Sequence, residues 1–455
     1  MQTDKPMTAR DVLVYLDAHG FQYAKLGVTD VDGILRGKYL HRDKLASALE
    51  SGLGFCDVVL GWDSSDQLYD NVKYTGWHTA YPDAPVRLLP ETARKIPFEP
   101  GSLFLLGEFA GDAEAICPRG VLRRVLDRAK AMGFEVRAAL EYEFFVFDET
   151  PQSIRDKGYR NLKPWTPGMF GYSVLRSSVH SDFYHRLLDL CTAMDMRIEG
   201  LHTETGPGVL EAALEVDDAL RAADKAVLFK TFTKVLAQRE NLLATFMAKW
   251  SNAYPGQSGH IHVSLKRADG SSAFHDPAGP ESMSQLQQQF VAGQVALLPE
   301  WLCLFAQTVN AFSRLVPGHW APTSATWGVE NRTTALRVIP GGPKSQRVEV
   351  RIGSADANPY IALAAAIAAG LEGVERGLTL PPKVEGNAYD RSYPPEARFP
   401  RTLYDASERL LASQAARSSF GDAFVEHYAA TRAWEEREFQ KHVTDWELAR
   451  YLEII

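Results

Sequence analysis

Cysteine is scarce. There are four in 455 residues, Cys56, Cys117, Cys191 and Cys303, and no two are close in sequence. That excludes a CxxC zinc or redox motif and fits the reduced, buried thiols of a cytosolic protein. Long apolar runs are missing too. The longest, Ile361–Leu371, is Ala-rich, stops at Glu372 and falls well short of the about 18 residues a membrane span needs. It reads as a buried helix. The opening MQTDKPMTARDVLVYLDAHG interleaves acids with its apolar residues and so lacks the h-region of a signal peptide. Lys/Arg blocks are absent, and 49 basic against 57 acidic residues leave a net charge of −8. Such a chain offers no electrostatic footprint for nucleic acid or an anionic membrane. No internal repeat or low-complexity segment interrupts it. What remains is ordinary globular composition, 45% hydrophobic and 23% charged. At about 150 residues per domain the length predicts two or three units.

Two rhythms divide the chain. Residues 8–20 read as a helix with Thr8 as N-cap and Gly20 as stop. Tyr23–Asp30 and Gly33–Tyr39 read as strands joined at Asp32–Gly33, and 55–62 as a further strand. The Pro-rich stretch 82–100 reads as irregular. These elements predict a small strand-rich domain over 1–112 and a second domain over 113–455. In the latter, Pro118 opens a helix that Gly133 ends. A strand follows, then a long loop at 150–175, and helices at 180–195 and 216–240. Strands are expected at 243–249, 260–266, 334–339 and 347–352, and a helical tail at 401–455. The strand faces alternate apolar and polar, which predicts an antiparallel sheet with one face toward a polar cavity rather than a doubly wound parallel sheet.

Four segments carry chemistry. In AALEYEFFVF, Leu140, Tyr142, Phe144 and Val146 share one strand face, and Glu141 and Glu143 the other. Paired carboxylates repel unless a cation or proton lies between them; alone, the pair also fits an exposed sheet face. In HTETGPGVLE, Glu204 and Glu211 flank a Gly-Pro-Gly turn that can fold both acids toward one point, or leave them on the surface. In GQSGHIHVSL, His260, His262 and Ser264 share a face; two histidines at i, i+2 after a Gly-rich turn suit a ligand or metal site. The segments 314–322, 330–340 and 344–353 concentrate cations. Arg347, Glu349 and Arg351 alternate with Val348, Val350 and Ile352, and Arg314, Arg332, Arg337 and Lys344 lie nearby. In an acidic chain such a block suggests guanidinium clamps for phosphate or carboxylate. Carboxylate-rich sites suit Mg²⁺ or Mn²⁺ bridging to nucleotide phosphates. No Walker or kinase signature is present, so a nucleotide would lie in another cradle.

Taken together, the sequence resembles the glutamine synthetase family. The matches are Glu141/Glu143, the ETGPGxxE segment at 204–211, HIHVSL at 260–265, RLVPG at 314–318, Asn331, Arg332 and Arg337, and KSQRVEVR at 344–351. They stand in family order and span residues 20–390. The resemblance implies an α+β fold: a small N-terminal β-grasp domain, then a catalytic domain with a curved antiparallel sheet flanked by helices. It implies a homo-oligomer, a dodecamer of two hexameric rings, with each site completed by a neighbour's N-terminal domain. It implies two or three Mg²⁺ or Mn²⁺ ions, one held by Glu143, Glu204 and Glu211 and another by Glu141, His260 and Glu349. Arg314 and Arg351, with backbone near Gly256, would bind glutamate. Arg332, Arg337 and Arg347 would hold the ATP phosphates, with Arg332 stabilising the phosphoryl group in transfer. Glu199, His262, Ser264 and Lys344 would complete the nucleotide site. ATP would phosphorylate the γ-carboxylate of glutamate, and an amine would then displace phosphate.

One departure bears on the amine. Family glutamine synthetases carry a glutamate two residues after the glycine of RLVPG, and here that residue is Trp320. Indole accepts no proton but offers apolar and π surface. Asp63 matches the other ammonium-site acid and Tyr172 its aromatic neighbour. The resemblance therefore implies an organic amine, a polyamine or monoamine, in a pocket of Asp63, Tyr172 and Trp320. Two other readings stand beside it: glutamine synthetase using ammonia, and a silent amine-sensing paralogue. The second has no need of the full set of ligands and arginines found here. The regulatory segment NLYDLPPE of some bacterial synthetases is only partly echoed by NAYDRSYPPE at 387–396.

Overall fold

The computed structural model describes residues 7–455; the first six residues of the opening segment lie outside it. The first helix, Ala9–His19, is closed by a capping box between Thr8 and Asp11 and by Gly20 in the left-handed region. Five strands follow: β1 (Tyr23–Thr29), β2 (Leu35–His41), β3 (Leu53–Cys56), β4 (Asp83–Lys95) and β5 (Ser102–Phe109). Their order in the sheet is β2-β1-β5-β4-β3, with β1 and β5 parallel. Two expectations fail here. The strand expected over 55–62 ends at Cys56, and Asp57–Leu60 turn into a 3-10 helix whose Asp57 accepts a hydrogen bond from Thr75 at 2.8 Å. The supposedly irregular 82–100 contains the longest strand of this sheet. Pro90 falls in the register shift between Leu89 and Arg94, where its missing N–H costs no ladder bond.

The second sheet has nine strands: β6 (Phe134–Phe147), β7 (Ile198–Thr203), β8 (Val209–Leu214), β9 (Asp217–Asp218), β10 (Leu243–Thr245), β11 (Gly259–Arg267), β12 (Trp327–Val329), β13 (Leu336–Ile339) and β14 (Arg347–Val350). The main order is β12-β13-β14-β11-β6-β8-β7, and all pairs are antiparallel except β12 with β13. The expected strand at 243–249 shortens to β10, and the expected loop at 150–175 holds a short helix, Pro151–Asp156. On β6 alternate residues are buried. Tyr142 and Phe144 pack on Phe229 of the helix Ala219–Arg239 and on Phe246. The Ala-rich run becomes the helix Pro359–Glu375, buried from Pro359 to Leu371. Among the described residues no helix is long and apolar enough to cross a membrane. All four cysteines are free, three of them buried.

The turn after β1 is tied to helices and a loop of the second half of the chain. Asn358 donates to the carbonyl of Val31 at 3.0 Å, Gln307 to that of Asp32 at 3.0 Å, and Arg432 pairs with the Asp32 carboxylate at 2.6 Å. Gly33 allows this approach: a Cβ there would lie 2.9 Å from the Asn358 Cα, and its φ is +83°.

Candidate active site

Strand register assembles the site. The apolar face of β6 turns to the core, so Glu141 and Glu143 face the concave side. Opposite them β11 places His260 against Glu141, and β8 places Glu211 against Glu143. One strand further out, Glu349 on β14 lies across from His262, and Arg337 on β13 across from Glu349. At the other edge His202 on β7 faces Glu211. Cross-strand neighbours lie about 5 Å apart, so five short antiparallel pairings gather residues from over 200 positions of sequence onto one surface.

That surface lines a cavity of about 670 Å³. Every sequence-predicted metal ligand lines it: Glu141, Glu143, Glu204, Glu211, His260 and Glu349. So do Gly256, Arg314 and Arg351, the phosphate candidates Arg332, Arg337 and Arg347, and His262, Tyr172 and Trp320. The remaining nucleotide candidates, Glu199, Ser264 and Lys344, line an adjoining cavity of about 300 Å³ that shares Glu141, His262 and Arg347 with the first. Asp63 is in neither. It is buried in the segment between β3 and β4, where its carboxylate accepts the N–H groups of Ser65 and Gln67, both at 2.8 Å.

Charge in the cavity is unevenly satisfied. Burial alone would raise the Glu349 pKa, but His260, Arg351, His262 and Arg337 hold it down to about 2. Arg351 and Arg337 lie 2.5 and 3.1 Å from its oxygens. Glu143 is pushed up by burial, against an N–H bond from Ser258 at 2.6 Å. Glu211 is pushed far up by burial and by Glu141, Glu143 and Glu204, while Glu141 stays ionised beside His260 and His262. A carboxyl so reluctant to ionise marks a place short of positive charge. His202, Glu204 and Glu211 bring ligand atoms within 4.8 Å of one another, and the buried Nε2 of His260 has no partner among the described residues. A set dominated by carboxylate oxygens, with a spare imidazole nitrogen, fits hard divalent cations such as Mg²⁺ or Mn²⁺.

The cationic side is built differently. Arg314 is buried and donates to the carbonyls of Ile352 and Arg351 at 3.1 and 3.2 Å; burial lowers its pKa to about 10. Gly256 is required beside it, because a Cβ would come within 2.5 Å of the Ala248 oxygen and 2.8 Å of the Arg314 Cγ. The Nε of Arg351 is buried without a partner among the described residues. Among the described residues Arg332 forms no ion pair, and Arg347 donates to Nδ1 of His262 at 3.3 Å. Two aromatics flank the mouth. Tyr172 is 69% exposed and stacks on His202 with ring centroids 4.3 Å apart; Trp320 is 55% exposed. Lys249 steadies the Trp320 loop by donating to Nδ1 of His319 at 3.2 Å. Sequence reasoning missed His202 and Lys249. His202 had a signal, its i, i+2 spacing from Glu204; Lys249, far from the loop in sequence, had none.

The glutamine synthetase catalytic domain family model matches residues 115–451. Along its full length the chain is 45% identical to type-1 glutamine synthetase 2 of Dictyostelium discoideum and covers 88% of that protein. It is 34% identical to a glutamate–isopropylamine ligase of a Pseudomonas species, over 97% of both chains. A solved GmaS–ADP complex superposes with a TM-score of 0.86 at 25% identity, covering 98% of this chain and all of that one. The chain belongs to the glutamine synthetase family and is a ligase of that family.

Proposed function

We propose that this ligase joins the γ-carboxylate of glutamate to an organic amine through γ-glutamyl phosphate, using ATP. The observation that carries the reading is Trp320. Its indole lines the cavity mouth, more than half exposed, where ammonia-using relatives are expected to carry an acid. An ammonium pocket needs negative charge, whereas indole and the nearby Tyr172 ring offer apolar surface to an alkyl chain. The similarity to an isopropylamine ligase favours the same reading. The higher identity to the Dictyostelium protein supports a second one, glutamine synthesis from ammonia.

Each group has a task in this reading. Arg314 and Arg351 hold the glutamate carboxylates, Arg351 with its unpaired Nε. Arg337 and Arg347 grip the ATP phosphates, with Glu199, His262, Ser264 and Lys344 around the nucleotide. A γ-carboxylate oxygen attacks the γ-phosphorus and ADP departs, while Arg332, without an ion pair among the described residues, balances charge on the phosphoryl group. Glu143, Glu204 and Glu211 would hold one divalent ion and Glu141, His260 and Glu349 a second; such ions screen the two approaching anions. The amine nitrogen then attacks the γ-carbonyl carbon and phosphate leaves. Asp63 takes the amine proton. Its place outside its own chain's cavity supports delivery from a neighbouring subunit, in a ring-shaped homo-oligomer read as a dodecamer. We further propose the domain division at 112/113 and, from the unpaired cysteines, a cytoplasmic location. Mass spectrometry of a reaction with glutamate, ATP and a short alkylamine should give the γ-N-alkylglutamine. Glutamine alone, formed when ammonia is added, would favour the second reading.

A further inference from the structure

A second cavity, of about 530 Å³, lies behind the loop that carries Arg314 and Trp320. The two sides of that loop face different spaces. Arg314, His319 and Trp320 line the catalytic cavity, whereas Leu315, Val316 and Pro317 line the second. The other walls come from Thr323 and Ser324, from Ala388 and Tyr389, and from residues 391–393 and 398–401. Three arginines, Arg391, Arg398 and Arg401, line this space and no carboxylate does. Among the described residues none of the three is in an ion pair. Arg391 and Arg398 each give one donor to a backbone carbonyl, of Glu385 and Tyr393. A guanidinium has five donors, so most remain for a ligand.

Exposed arginines alone would be a solvated surface. Two further features argue for a site. The walls are concave and partly apolar, through the loop residues and Phe399. The hydroxyl of Tyr389, which also lines the cavity, is buried with no partner. A buried hydroxyl left unpaired is unfavourable, and a shift of this wall on ligand binding would let it find a partner. Burial raises the Tyr389 pKa while Arg351 and Arg314 pull it down, so the phenol lies within electrostatic reach of both glutamate-binding candidates.

We propose that this cavity binds a small molecule with an anionic head, phosphate or carboxylate, on an apolar body. Occupancy would restrain the 314–320 loop and so couple the ligand to Arg314 and the substrate it holds. Arginines supply the forked donors that such heads match, and the walls cover the apolar remainder.

Phenyl phosphate and phenylacetate are suitable probes. They carry the two head groups on one ring and have neither a nucleotide nor an amino-acid backbone. Calorimetric titration of the intact protein should show one saturable site per chain for at least one of them. Affinity should fall at least tenfold in Arg398→Ala/Arg401→Ala and stay unchanged in Arg347→Ala. Should the double variant fail to fold, Arg391→Gln supports the same comparison. Hydrogen exchange over 312–317 should slow when the probe binds. The proposal is overturned by no saturable binding of either probe, by binding indifferent to the cavity arginines, by binding lost in Arg347→Ala, or by unchanged exchange in that loop. None of these readouts uses ligase turnover, so their failure leaves the catalytic reading standing.

Discussion

Glu349 shows how much one side chain carries in this cavity. It is buried, lies 3.4 Å from His260 Nδ1, and takes guanidinium contacts from Arg337 and Arg351. Replacing it by glutamine keeps its shape and removes the charge that balances the two guanidinium neighbours. Glu143, half-buried and facing Glu211 across the strand pair, presents the opposite case. In the two-ion reading each lends an oxygen to a different ion. Glu143→Gln and Glu349→Gln are therefore expected to lower turnover at least about a hundredfold, with unchanged circular dichroism; turnover within a few-fold of wild type in either contradicts the ligand assignment. These residues were legible in sequence because strand alternation exposes them: Glu141/Glu143 and His260/His262 each skip one buried apolar residue. Lys249 and Tyr389 were not legible as site neighbours, because only the folded backbone brings them near Arg314 and Trp320.

Helices and strands followed the sequence where local chemistry set their ends, as with Thr8 and Gly20 or Pro118. They departed where long-range pairing decided. β4 forms through Pro85 and Pro90 because β5 supplies an antiparallel partner and a register shift absorbs the second proline. The helix Asp422–Phe439 makes a similar long-range contact: Nε2 of buried His427 lies 2.9 Å from the Leu60 carbonyl, just after β3. Burial, with Arg432 nearby, depresses the His427 pKa from 6.5 to about 4, against the bond to Leu60, which raises it. The native state thus binds this proton less readily than the unfolded chain. The stability that neutral His427 provides is complete above pH 6.5 and is lost as pH falls toward 4, by about 3 kcal/mol. His427→Gln should flatten that part of the stability–pH curve measured by denaturant unfolding. An unchanged slope between pH 6.5 and 4 would show that His427 does not titrate as its burial requires.

At the scale of the whole molecule the question is what completes the cavity. Its own chain supplies acids, arginines and the aromatic mouth, but Asp63 lies elsewhere, turned into its own loop. If a neighbour's Asp63 takes the amine proton, two inactive variants can repair each other. Asp63→Ala and Glu349→Gln, coexpressed in equal amounts, should recover activity in about a quarter of the sites, since a mixed ring contains some sites with both residues intact. Recovery no greater than the sum of the separate variants would contradict shared sites. The choice of amine decides the function. Trp320 offers apolar surface whose burial contributes on the order of 1.5–3 kcal/mol, part of which an alkyl chain gains and ammonia cannot. Steady-state phosphate release with glutamate, ATP and a panel of amines measures this directly. The expected kcat/KM for at least one organic amine is about tenfold or more above that for ammonia, the factor 1.4 kcal/mol supplies, and the ratio should fall in Trp320→Glu. Ammonia used as well as every amine tested would contradict it and leave glutamine synthesis as the function.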